Sequence, residues 1–216
     1  MADGTVPLLR AAGLEGQRGE RALFRGLELS LLPGEVVWLR GRNGRGKTTL
    51  LRLLAGLATP AAGEILRHGQ ASHGSAWRAE MLYIAHANAL KDDLNATEAL
   101  AFVAGLRGQR HADADLKQAL TRLGVGDRTR APVRTLSQGQ RRRVALARLA
   151  LPSPAALWLL DEPFDALDDL GIGILNQLLT EHARQGGATL LTSHQALSLR
   201  EPQPREFSLD PYAVGA

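Results

Sequence analysis

The chain has 216 residues, 44% of them hydrophobic, enough for one substantial domain with lobes. It has no cysteine, which excludes disulfides, thiolate zinc sites, iron–sulfur clusters and covalent haem attachment and fits a reducing compartment. Its net charge of +4 is carried mainly by scattered arginines, which reads as ordinary solvated basic faces rather than a nucleic-acid surface. No run reaches about 18 apolar residues, and residues 1–7 lack the basic and apolar regions of a signal peptide, so neither a membrane span nor a leader is expected.

Taken in chain order, Leu27, Leu29 and Leu31 alternate with Glu28 and Ser30, the pattern of a half-buried strand in an N-terminal antiparallel region. Pro33-Gly34 is a turn into a buried strand over 35–40, and the residues from Thr49 to Ala55 read as a helix. Short strands are expected at 64–67 and 81–84. Helical periodicity then predicts helices over 97–103, 113–123 and 138–149. The apolar run 155–160 reads as a buried strand ending at Asp161, followed by a helix over 167–185 and a buried strand over 188–192. The tail from Glu201, with Pro202, Pro204 and Pro211, is expected to be weakly structured. The expected fold class is α/β, with a mostly parallel core sheet, an N-terminal antiparallel β region and an inserted helical subdomain. As a single domain over 1–216, it divides into a catalytic core lobe (1–87 and 151–216) and a helical subdomain (88–150).

The densest chemical signal is Gly41-Arg42-Asn43-Gly44-Arg45-Gly46-Lys47-Thr48, which fits G-x-x-x-x-G-K-[ST] without mismatch. It lies between a predicted strand and a predicted helix, the setting this phosphate-binding loop requires. A triphosphate concentrates negative charge, and such a loop answers with inward backbone N–H groups and a helix N-terminus. The glycines let the backbone come close to phosphate oxygens. Lys47 can reach the β- and γ-phosphates, and the Thr48 hydroxyl can ligate Mg²⁺. With Thr49 these residues form the expected ATP-binding segment, whereas Arg42 and Arg45 can also simply face solvent.

Four further motifs narrow the reading. Leu136-Ser137-Gln138-Gly139-Gln140, followed by Arg141-Arg142-Arg143, resembles the signature motif of ABC ATPases. Leu157-Trp158-Leu159-Leu160-Asp161-Glu162-Pro163 resembles their Walker B strand with its acidic pair. Ala166-Leu167-Asp168 resembles the D-loop, and Thr192-Ser193-His194 the switch-histidine loop. The set stands in the family's order and covers essentially the whole chain. An apolar strand ending in two carboxylates places them at the carboxyl edge of a parallel sheet, beside the phosphate loop. Asp161 can then hold Mg²⁺ and Glu162 polarise water as a general base. The resemblance further implies that Ser137, Gly139 and Gln140 face the γ-phosphate bound by a second copy in a head-to-tail, ATP-clasping dimer. It also implies that His194 orients water and Glu162, and that Asp168 shapes the dimer contact. The basic run after Gln140 is expected to support neighbouring loops rather than to bind nucleic acid.

The chain departs from the general ABC pattern in three places. Where most members carry a glutamine that reaches Mg²⁺ and water, the corresponding residue is His86. Imidazole can ligate metal only when neutral, so activity is expected to fall as the medium acidifies. No aromatic stands where adenine usually stacks; Arg18, Glu20, Arg21 and Phe24 lie nearby. Gln138 replaces a small residue and is expected to face outward. With Gly19 to Phe24, Lys91, the run 163–168 and the short length, these departures look like the CcmA family of ATP-binding subunits, which serve cytochrome c maturation and haem export. That resemblance implies a peripheral ATPase on the cytoplasmic face of the inner membrane, a transmembrane permease partner and ATP with Mg²⁺ as ligands. It implies neither direct haem binding, for which the six dispersed histidines offer no ligand pair, nor direct nucleic-acid binding. The alternatives are the ATPase of another small transporter and a soluble nucleic-acid-associated ABC ATPase; the second usually carries a long coiled-coil insertion or tandem cassettes, absent here.

Overall fold

A computed structural model describes residues 5–71, 80–153 and 156–214. The chain divides into two compact units: the first is Met1–Tyr83, Ala155–Asp161 and Thr180–Ala216, the second Ile84–Pro154 and Glu162–Leu179.

In the first unit, β1 (Leu9–Arg18), β2 (Arg21–Leu31), β4 (Ala62–Arg67) and β5 (Gln70–Ala71) form an antiparallel sheet of order β2-β1-β4-β5. A second, five-stranded sheet has the order β6-β7-β8-β3-β9, with β3 (Val36–Arg40), β6 (Met81–Ile84), β7 (Leu157–Leu160), β8 (Ala188–Thr192) and β9 (Arg205–Ser208). Strand β3 runs parallel to β8 on one side and to β9 on the other, and β7 runs parallel to β8. Every residue of β7 and β8 is buried, as in strands covered on both faces; β7 is wholly apolar, and β8 carries Thr189 and Thr192 among apolar residues.

Helix α1 (Lys47–Leu54) follows β3 through the glycine-rich loop. Its Leu50, Leu51, Leu53 and Leu54 join one cluster with Leu9, Leu27 and Leu31 of the antiparallel sheet and Val37, Leu39, Leu159 and Leu190 of the parallel one. Burying an aliphatic side chain of this size contributes about 1.5–3 kcal/mol, so this cluster is what fixes the loop's base.

The second unit is helical. It holds α2 (Ala96–Gly105), α3 (Asp113–Arg122), α4 (Gln138–Leu146) extended by a 3₁₀ turn at Ala147–Ala150, and the start of α5 (Asp169–Arg184). Helices α2 and α4 both begin with reciprocal capping boxes, Asn95 with Glu98 and Ser137 with Gln140.

The strands and helices read from the sequence stand within a few residues of their expected places. The tail does not fit its expectation. Far from being weakly structured, Arg205–Ser208 is an edge strand in register with Val37 to Arg40. Pro202 and Pro204 precede the strand and Pro211 follows it, so none removes a ladder donor. The stretch carries only Phe207 as an apolar residue because an edge strand has little to bury.

Candidate active site

The parallel strands bring their carboxyl ends to one edge, and each ends in a chemically active segment. After β3 comes the loop 41–48, after β7 Asp161, after β8 Ser193 and His194, and after β9 Leu209 and Asp210.

The helix start is open. Gly46 caps α1 in a left-handed conformation (φ 104°), no side chain caps the helix, and no acidic residue lies in its first turn. First-turn N–H groups have no intrahelical acceptor and carry the positive end of the helix dipole, which makes this terminus an anion site. A Cβ at Gly46 would stand 3.2 Å from Leu23 and Phe24 atoms, so the loop lies flush on that part of the core. The Lys47 ammonium reaches back across the loop, donating to the Gly41 carbonyl at 2.7 Å and to that of Arg42 at 3.5 Å. Arg42, Asn43 and Gly44 are exposed, and Arg45 is half-buried.

Asp161 is 2% exposed, and both its oxygens are held by hydroxyls. Thr48 Oγ1 donates to Oδ2 at 2.8 Å, and Thr192 Oγ1 donates to Oδ1 at 3.0 Å. The bond from Thr48 ties the Walker B strand to the phosphate loop across 113 residues of sequence. A hydroxyl and a carboxylate side by side are the hard oxygen donors that suit Mg²⁺, with phosphate oxygens and water completing its shell. Among the described residues no group of three or more His, Asp or Glu is arranged to hold a metal by itself. Burial, with the negative Asp161 next, pushes the Tyr83 phenol up to about 12. Tyr83 is therefore a neutral neighbour of that carboxylate at ordinary pH.

A cavity of about 740 Å³ opens at this edge, lined in part by Gly41, Arg42, Lys47, Ser193, His194 and Asp210. Trp38 also lines it and donates from Nε1 to the Ser193 carbonyl at 3.2 Å, which seats the switch-histidine loop on β3. The structure thus gathers Gly41, Lys47, Thr48, Asp161 and His194 in one unit. Arg18 and Arg21 pair across the β1–β2 hairpin turn and are exposed. Phe24 is fully buried, its ring filling the space where a Gly16 Cβ would stand, so it offers no face to a base.

Glu162, next in the chain after Asp161, belongs to the second unit. It is 7% exposed and takes the left-handed conformation with φ 47°. Arg142, 2% exposed, organises its surroundings. Its guanidinium donates to the carbonyls of Glu162 at 2.6 Å, Pro163 at 3.3 Å, Ala85 at 3.1 Å and His86 at 3.3 Å, and to Asn88 Oδ1 at 3.1 Å. His86 itself is exposed, with Nδ1 3.5 Å from Asp165 Oδ2. Arg143 is buried, donating to the Leu123 carbonyl at 3.0 Å and pairing with Asp168, which also accepts from Gly171 N at 2.9 Å. The Gly171 N–H first, and then the Arg143 guanidinium, hold the Asp168 carboxyl below the usual range. The basic run therefore supports loops, as its position in the sequence suggests.

Ser137 Oγ accepts from Gln140 N at 3.2 Å while Gln140 Oε1 accepts from Ser137 N at 3.0 Å, so the serine caps α4. Gly139 lies under the D-loop: a Cβ there would stand 2.8 Å from the Ala166 carbonyl oxygen. Gln138 is exposed, as its tolerated place in the motif requires. Thr192 and Arg142 lie inside the segments read from the sequence, and the structure adds their particular partners, Asp161 for the first and the Glu162 carbonyl for the second. The signal for Arg142 was present, a basic run too close to the helix start to be all solvated.

Residues 24–165 match the ABC transporter family model. The chain is 45% identical over 92% of its length to the cytochrome c biogenesis ATP-binding export protein CcmA 1 of Cupriavidus metallidurans, covering 97% of that relative. This chain belongs to the ABC transporter family and, within it, to the CcmA family. The CcmA of Methylococcus capsulatus is 46% identical over 89% of this chain and 93% of its own length. Among solved structures, an ABC transporter ATP-binding protein from Pyrococcus furiosus superposes with a TM-score of 0.81 at 25% identity, over 95% of this chain and 99% of that one. The P-loop ABC ATPase fold and ATP-hydrolysing class expected from the motifs are those of the family. No helix among the described residues is long and apolar enough to cross a membrane.

Proposed function

We propose that the chain is the ATP-hydrolysing subunit of a membrane-bound exporter serving c-type cytochrome maturation, and that hydrolysis drives haem delivery or release of a loaded haem chaperone. The observation that carries the chemistry is the Thr48–Asp161–Thr192 hydrogen-bond chain beside the open start of α1. In this reading the loop 41–48 and Thr49 cradle the triphosphate, and Lys47 counters the charge that develops between its β- and γ-phosphates. Thr48 and Asp161 hold the cation, with His86 in the place of the family's glutamine. Bound Mg²⁺ would neutralise charge on the transferred phosphoryl group. Glu162 takes the proton of the attacking water, a role that contributes about 10²–10⁴ in rate. His194 orients that water. Ser137, Gly139 and Gln140 of a second copy approach the γ-phosphate, so the working unit is an ATP-clasping dimer.

The reading places the protein peripherally on the cytoplasmic face of the inner membrane, against a permease subunit. Two features favour a docking face on the helical unit: Phe102 of α2 and Leu106 at its C-terminal cap are exposed one turn apart, and the Lys91 ammonium lies 4.2 Å from the Phe102 ring centroid. Affinity capture from solubilised membranes tests it. A co-purifying transmembrane subunit is the expected result, and bound RNA or DNA in place of one would replace this reading with that of a nucleic-acid-associated ATPase.

A further inference from the structure

The C-terminal segment touches the entry of the phosphate loop and backs its exit through Leu23 and Phe24. At the loop's entry, Leu209 N donates to the Arg40 carbonyl at 2.9 Å, and Asp210 Oδ1 accepts from Arg42 N at 3.1 Å. A Cβ on Gly41 would meet Leu209 at 3.3 Å and Asp210 Oδ1 at 3.4 Å, so tail and loop are in close contact. At the exit, Gly46 lies against Leu23 and Phe24, and these are held from the other side by Val214 N, which donates to the Leu23 carbonyl at 3.0 Å, and by the Phe24–Ala213 bridge. The tail is anchored by the β9–β3 ladder, by fully buried Leu209, and by Phe207 stacked on Tyr212.

We propose that Asp210 is a positioning residue for nucleotide binding: its carboxylate fixes the first turn of the phosphate loop through the Arg42 N–H, so that Leu209 and Asp210, just past the end of β9, hold the loop ready for triphosphate. A loop with glycines at 41, 44 and 46 loses much conformational freedom on closing around a ligand, and contacts that order it beforehand remove part of that cost from binding. The inference rests on the reading of residues 41–48 as the triphosphate loop.

The geometry separates this role from a simple charge effect. Asp210 is an anion beside an anion-binding loop, so as a bare charge it would oppose ATP; deleting it would then tighten binding. As a positioning acceptor it has the opposite effect on removal. The experiment measures MgATP affinity of the full-length chain by titration, alongside thermal melts, for Asp210→Ala, Asp210→Asn, Arg205→Ala and Lys47→Ala. Asp210→Ala is expected to weaken binding at least about fivefold, and Asp210→Asn, which keeps an oxygen acceptor at the same place, to stay within about twofold of wild type. Arg205→Ala removes the tail's ion pair with Glu35 and its bond to the Ser30 carbonyl without touching the loop, and is expected to lower the melting temperature with affinity unchanged. Unchanged or tighter binding by Asp210→Ala overturns the proposal, as does an Asp210→Asn variant as weak as Asp210→Ala. An affinity loss in Arg205→Ala equal to that of Asp210→Ala also overturns it, since the effect would be general loosening of the tail. Lys47→Ala separates the two levels: if it binds like wild type, the triphosphate reading itself fails, whereas if it alone loses binding, only the role of Asp210 fails.

Discussion

Replacing Arg142 with alanine is the most severe single test of how the second unit holds Glu162. The guanidinium's hydrogen bonds include those to the Glu162 and Pro163 carbonyls, which are buried, and those to Ala85, His86 and Asn88, which lie where water can reach. Water can replace the guanidinium at the accessible three at small cost. Water cannot so readily replace it at the two buried carbonyls, of which the Glu162 oxygen also accepts from Asp165 N at 3.2 Å. A buried acceptor left short of a partner costs about 1–3 kcal/mol, so two give about 2–6 kcal/mol, with the cavity left by the side chain adding to that. For a chain of this size, about 2–4 °C per kcal/mol converts this to a fall of roughly 4–24 °C in melting temperature. Arg142→Lys keeps the charge but not the fork, and one ammonium cannot span four carbonyls and an amide, so it should recover less than half of the loss. The assay is thermal and urea unfolding of the full-length variants. A melting point for Arg142→Ala within about 2 °C of wild type would refute the reasoning, because the network would then be replaceable by solvent.

Three further outcomes are expected. Glu162→Gln should lower phosphate release by about 10²–10⁴ and leave a nucleotide-bound dimer on gel filtration with MgATP; near-normal turnover would remove Glu162 as general base. Gly139→Ala should lower both stability and turnover, since its Cβ would stand 2.8 Å from a backbone carbonyl that cannot swing away; a variant as active as wild type would show the D-loop yields there. His182 is buried and stacked on Trp158 with centroids 3.8 Å apart, and desolvation lowers its pKa to about 4 against 6.5 in the unfolded chain. The unfolded chain binds the proton more readily, so stability is full above pH 6.5 and falls toward pH 4, by up to about 3 kcal/mol. Urea midpoints at pH 7.5 and 5, compared with those of His182→Phe, measure it; equal pH slopes for the two proteins would count against the buried neutral imidazole.

Much of the site could be read from the sequence because phosphate chemistry needs particular residue types at fixed spacing. The run 41–48 and the strand ending in Asp161 allow few other readings, and the fold puts Thr48 Oγ1 2.8 Å from Asp161. The tail was not readable for a physical reason: β9 has one apolar residue, and its partner β3 lies about 170 residues earlier, so no local period announces the pairing. Asp210 was hidden likewise, since a carboxylate beside a proline in a terminal segment looks like surface. Phe24, an aromatic just past the expected base position, is absorbed by the core. The role of Arg142 depended on which of the two arginines that turn inward, Arg142 and Arg143, reaches the Glu162 turn, which helix phase decides only once α4 has a register against the loop after Asp161.

That phase connects the chemistry to the backbone. Glu162 is a non-glycine residue at φ 47° and Ala166, four residues on, is another at φ 61°. Left-handed conformations cost an ordinary residue roughly 1–2 kcal/mol, and they persist only where surrounding structure fixes them. Arg142 fixes the first through the Glu162 and Pro163 carbonyls, and Gly139 leaves room for the carbonyl of the second. Glycine at either position would relax the backbone, yet at 162 it would delete the carboxylate proposed as the general base. The strain is therefore located where the side chain's identity cannot be exchanged for conformational ease. The buried arginine of the signature helix is then best understood as the group that lets a glutamate occupy a turn that would otherwise select glycine.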